Sequence, residues 1–201
     1  FIYYFFGPIF SESVEWGKLD SLDGLYYSDG VLFTGEALKY LNGGLQRSKF
    51  KNGKPDGLWQ ITNRVGDATL LCTYLDGKPN GRWQQWYPNG KIEIDANFLN
   101  GNYDGSYLEW NEEGNKLIQA NYVDGLEDGD YKEWHLNGKK AIRATYNLGK
   151  PTGTYKEWYE FGKKMLRIDY IDGKENGTWT QWYENGRKQM KIGYVNGVPR
   201  G

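Results

Sequence analysis

Residues 77–91 read GKPNGRWQQWYPNGK. Two Asn-Gly pairs, at 80–81 and 89–90, bracket a short run that carries Trp83, Trp86 and Tyr87. Asn-Gly between apolar runs signals a hairpin, because a type I′ turn needs positive φ at both central residues. A single copy would be a single hairpin, but the spacing recurs. Gly57, Gly81, Gly105, Gly129, Gly153, Gly177 and Gly201 lie 24 residues apart. With each taken as position 0, glycine returns at position 9 (Gly66 to Gly186) and at position 20 (Gly77 to Gly197). Position 2 is always aromatic: Trp59, Trp83, Tyr107, Tyr131, Tyr155 and Trp179. Position 5 is Thr62 and then Trp86, Trp110, Trp134, Trp158 and Trp182, and position 17 is Tyr or Phe throughout.

Each unit has two strand-like runs, at positions 1–6 and 11–18. In the second run positions 13, 15 and 17 are apolar, as in Ile118, Ala120 and Tyr122, with polar residues between them. That alternation marks a strand with one buried face. The rings at positions 2 and 5 differ in parity, so a regular strand would point them to opposite faces. Either one ring row lies outside, or a β-bulge at positions 3–4 turns both inward. The cost of an exposed aromatic patch favours the bulge.

The pattern predicts an all-β fold: an elongated antiparallel meander of repeated β-hairpins in a single twisted sheet. Residues 1–20 are expected to form an N-terminal arm or strand. Residues 21–201 are expected to form the repeat domain, with a short hairpin at 24–35 and units starting at Gly35, Gly57, Gly81, Gly105, Gly129, Gly153 and Gly177. The unit from Gly35 is two residues short of the others.

Composition narrows the function. Aromatic residues make up 17%, so burial must come largely from rings. The net charge of −1, from 25 basic and 26 acidic residues, gives no electrostatic reason to expect nucleic acid. The opening FIYYFFGPIF is shorter than the roughly 20 apolar residues that span a bilayer and lacks the basic start of a signal peptide. It reads as a strand or arm packed on the body, or as the remnant of a longer N-terminus. No membrane-spanning segment is expected.

The pattern G-x-W-x-x-W-Y-x-N-G-K followed by Y-x-D-G-K-x-N-G resembles the MORN-variant repeat of the bacterial YwqK family. The lead-in LDGLYYSDGVLFTGEALKYLNGG is similar to that family's N-terminal unit. The resemblance covers about residues 22–201 and implies MORN-like repeats in an antitoxin-like protein with a toxin or an assembly subunit as partner. Thr62, Asn63 and Leu148 depart from it, and the first 20 residues match nothing in it.

No catalytic, metal-binding or cofactor-binding residue is expected. His135 is the single histidine, which is too few for a typical zinc site, and Cys72 occupies position 15, where other units carry Ala or Ile. The Asp-Gly pairs read as turns rather than calcium loops. Basic residues follow the first turn and acidic ones gather at the second, which predicts one basic and one acidic rim. The leading function is a non-catalytic scaffold that binds another protein. Its candidate contacts are Tyr87, His135, Tyr159 and Tyr183, with Lys139 and Lys163 beside them. The alternative is a glycan or cell-wall binding repeat, whose tryptophans would stack on sugar rings.

Overall fold

The computed structural model describes residues 13–200, so the expectation for FIYYFFGPIF lies outside the described residues. The chain is nearly all β, with the expected antiparallel meander of hairpins, and divides into two compact units, Phe1–Gly81 and Arg82–Gly201.

In the first unit the strands Gly35–Leu41, Gly44–Lys51, Lys54–Asn63 and Ala68–Leu75 pair antiparallel in chain order. Ser13–Glu15 adds parallel to Gly35–Leu41, with Val14 opposite Ala37. A 3-10 turn at Trp16–Lys18 then brings the Trp16 indole against Tyr26, Phe50 and Trp59, with ring centroids 5.5, 5.5 and 5.9 Å away. A small three-stranded sheet, Asp20–Leu22, Leu25–Ser28 and Val31–Leu32, stands beside the main one. Two backbone bonds fix it to the turn at 52–53: Tyr26 N–H to the Gly53 carbonyl (2.8 Å) and Gly53 N–H to the Phe33 carbonyl (2.7 Å). Phe33, Ala37 and Phe50 are buried at the centre of this ring cluster.

The second unit repeats one hairpin. Its main strands are Ile92–Leu99, Asn102–Trp110, Lys116–Val123, Gly129–Trp134, Lys140–Asn147, Lys150–Trp158, Lys164–Ile171, Gly177–Trp182 and Lys188–Val195. Position 2 always faces position 15, as in Tyr107–Ala120 and Trp179–Ile192. Position 4 faces position 13, and position 5 faces position 11. Position 12 is therefore the one unpaired residue.

This corrects the expected bulge. It lies on the second strand, beside the first turn, and positions 2–4 pair without interruption. The rings at 2 and 5 do take opposite faces. A second irregularity sits at position 0. Ala96 pairs with Tyr107 and Phe98 with Tyr103, so the strand through Asp104 and Gly105 carries two extra residues there. Gly105 meets that excursion with φ +96°, a conformation that side-chain-bearing residues rarely adopt. An even number of extra residues keeps Tyr103 and Tyr107 on one face.

The two turns also differ from the Asn-Gly reading. Positions 19 and 20 are both at positive φ, as in Asp76 (48°) with Gly77 (84°), and form the two-residue I′ turns. In the first turn only Gly at position 9 is positive, and its N–H bonds the position 6 carbonyl, as Gly90 does with Tyr87 (2.9 Å). That is a three-residue loop closed by a glycine bulge. Asn80-Gly81 is no turn at all, but lies inside the strand Lys78–Trp86. The short unit from Gly35 follows directly. Its strands pair without a shift from Gly35–Phe50 to Leu41–Gly44, so it lacks both the third loop residue and the position 12 bulge.

Leu148 takes position 19 at φ 46°, where the other units carry Asp or Asn. A left-handed conformation costs a leucine about 1–2 kcal/mol, less for Asn or Asp. Leu148→Asn should therefore raise stability by about 1 kcal/mol, read as a shifted denaturation midpoint. An unchanged or lower midpoint would contradict the turn assignment.

Candidate functional site

The second unit presents two unlike faces. On one, Ala96, Ala120 and Ala144 at position 15 are buried on the side that carries the rings at positions 2 and 17, joined at position 22 by Tyr103. Tyr103 stands 4.4 Å from Phe98 and 5.1 Å from Tyr107 between ring centroids. The hydroxyls of Tyr107, Tyr131 and Tyr155 donate to Glu109, Glu133 and Glu157 at position 4, at 2.8, 3.1 and 2.5 Å. Burial, with the adjacent carboxylate adding to it, pushes these phenols far above their usual range.

The other face holds the half-buried position 5 tryptophans, with cations near Trp110, Trp134, Trp158 and Trp182. Lys116 Nζ lies 6.0 Å from the Trp110 ring and 5.9 Å from that of Trp134 in the next repeat. Lys140 and Lys164 reach Trp158 and Trp182 in the same way, each at 5.9 Å. The Arg143 guanidinium lies 4.4 Å from the Trp134 ring centre. Such contacts contribute about 0.5–1 kcal/mol each at exposed sites. They make this tryptophan row a seam between repeats.

The first-turn edge forms a second seam, and it takes up most of the candidate contacts. Tyr87 donates to the Trp110 carbonyl, His135 Nε2 to that of Trp158, and Tyr159 to that of Trp182, each at 2.8 Å. Beside them Asn137 donates to the Glu160 carbonyl (2.8 Å) and Lys139 to that of Phe161 (3.1 Å). Each of these bonds ties one repeat to the next. Asn at position 6 behaves differently: Asn111 accepts from its own turn at Asn115 N–H (2.8 Å). Tyr183 and Lys163 are exposed.

On the second-turn edge, position 20 N–H groups bond the preceding repeat, as Gly125 does the Tyr103 carbonyl (2.8 Å). Carboxylates at position 23 accept from position 19, as Asp104 does from Asp124 N–H (3.1 Å). These aspartates hold turns together. The expected single-sign rims give way to mixed ones, because Lys54 pairs with Asp76 on the acidic edge (2.8 Å) and Glu112 and Glu113 share the basic one. Cations are instead concentrated on one face, where Asp130 and Asp169 stand among them. Glu109, Glu133 and Glu157 stand on the tyrosine face, and Lys132, Arg143, Lys156 and Arg167 on the tryptophan face, as strand alternation requires. The sequence reading missed this row of cations at positions 3 and 14, although its parity was there to be read.

Among the described residues no group of three or more His, Cys, Asp or Glu is placed to hold a metal ion, and no helix is long and apolar enough to cross a membrane. Cys72 is 1% exposed in the first unit, and burial pushes its thiol up to about 11. At pH 8 it should resist an aromatic disulfide reagent in the folded chain and react once the chain is unfolded. Rapid reaction of the folded protein would contradict its burial.

Four segments, residues 79–100, 127–148, 151–172 and 175–196, match the family model of the MORN repeat variant. Each runs from just past one I′ turn to the next and so frames one hairpin. Residues 103–124 between them form the same hairpin in the same register. No curated protein matches the chain.

Proposed function

We propose that this chain is a non-catalytic repeat scaffold that mediates protein–protein interaction, as the subunit of a larger assembly or as the antitoxin-like partner of a toxin. The MORN-variant repeats support the scaffold, and the resemblance to the YwqK family supports the narrower antitoxin role. The observation that carries the reading is the repetition of two chemically distinct faces at constant spacing, which offers an extended surface in place of a convergent pocket. Exposed Tyr183 and Lys163 extend that surface along the first-turn edge.

The lysines over Trp134, Trp158 and Trp182 argue against sugar stacking, since a ring face already covered by a cation is a poor platform for a pyranose. Affinity capture from native extract, followed by light scattering of the purified complex, tests the reading. A stoichiometric protein partner is the expected result. Failure to recover one, together with retention on immobilised cell-wall glycan, would overturn it.

A further inference from the structure

The seams account for Arg143, through Trp134, but not for Lys132, Lys156 and Arg167 at positions 3 and 14. Lys132 lies opposite Arg143, Arg143 opposite Lys156, and Lys156 opposite Arg167, across four successive strands. Like charges directly opposite one another destabilise a sheet. Asp130 relieves Lys132 at 3.2 Å and Asp169 relieves Arg167 at 2.9 Å. Between them, Lys156 has no ion pair among the described residues. Among the described residues Arg143 donates to the Ile142 carbonyl (3.1 Å), lies on Trp134 and is attracted by the Asp130 carboxylate. The adjoining row adds Lys140 opposite Trp134 and Lys164 opposite Trp158. The face therefore carries more positive charge than Asp130 and Asp169 offset.

We propose that this row is a docking track for an acidic segment of a partner protein, whose carboxylates pair with Lys132, Arg143, Lys156 and Arg167. The proposal rests on the scaffold reading and names the face and the partner's chemistry. Neighbouring strands are about 4.8 Å apart, so the cations recur at nearly the spacing of side chains three and four residues apart on a helix, about 5–6 Å. Single-stranded nucleic acid fits less well, because it binds by stacking bases on open aromatic faces and these are covered.

Fluorescence anisotropy of a labelled deca-glutamate peptide with the full chain tests the track. Binding should be salt-sensitive and at least about tenfold weaker in the double variant Arg143→Gln/Lys156→Gln. Lys150→Gln/Lys174→Gln removes the same charge from the second-turn edge and should leave binding unchanged. The first double variant loses both a like-charge contact and the stabilising contact of Arg143 with Trp134, two effects of similar size and opposite sign, so it should melt close to the wild-type temperature, and this shows that the fold is kept. Equal weakening by both variants, tighter binding of a ten-nucleotide DNA strand or of anionic phospholipid vesicles, or no binding of the peptide would each overturn the track. If the stoichiometric partner captured from extract is held equally by both variants, the track falls and the scaffold reading stands. If no partner is captured at all, the scaffold reading falls on its own evidence.

Discussion

Phe50→Ala is expected to cost about 3–5 kcal/mol, the largest single-residue effect in the chain. Phe50 is 3% exposed and touches four rings: Trp16 at 5.5 Å, Tyr26 at 4.9 Å, Phe33 at 5.7 Å and Trp59 at 5.8 Å between centroids. Removing it opens a cavity whose walls cannot close, because they come from separate elements. Trp16 belongs to the 3-10 turn, Tyr26 to the small sheet and Trp59 to the main sheet. Each is also held by its own backbone bonds. The loss should appear in denaturant unfolding followed by near-ultraviolet circular dichroism. Hydrogen exchange should quicken across residues 13–81. A loss below about 1 kcal/mol would mean that these rings do not share a core.

Ala96→Leu carries the second large effect, about 1–3 kcal/mol from overpacking. Ala96 is 0% exposed, sits opposite Tyr107, and has Phe98 two residues further along the same strand. The rings of Phe98, Tyr103 and Tyr107 pack on one another on its side of the sheet, and three added carbons would have to displace them. The matching control is Cys72→Ala. Position 15 already holds Ala in three other units, so that change should stay within about 1 kcal/mol. Comparable losses from the two substitutions would mean that position in the repeat does not determine the environment.

The repeat was legible because three glycines per unit serve conformations that few other residues tolerate, so the period stands out without any reference to packing. The apolar alternation of positions 13, 15 and 17 likewise gave the buried face correctly. The bulge is not where the sequence puts it, because parity sends the rings at 2 and 5 to opposite faces and an exposed ring need not be bare. Lys116, Lys140 and Lys164 cover those rings from the neighbouring repeat, a contact between residues 18 apart that no single strand reveals. The same blindness hid the tasks of Tyr87, His135 and Tyr159. Their partners are carbonyls 23 residues away, and a carbonyl leaves no mark in a sequence. Net charge concealed the cationic row as well, since −1 for the whole chain says nothing of where the charges lie.

Deleting one repeat puts the whole picture at stake. Removal of residues 129–152 joins Asp128 to Gly153 and leaves every remaining residue in its former position of the repeat, whereas removal of 129–140 joins Asp128 to Ala141, half a period out of phase. Thermal unfolding followed by far-ultraviolet circular dichroism compares the two. The 24-residue deletion should keep the β spectrum and a cooperative melt, and the 12-residue deletion should lose both. If the full-period deletion is as damaging as the half-period one, the hairpins are not interchangeable teeth and the account fails.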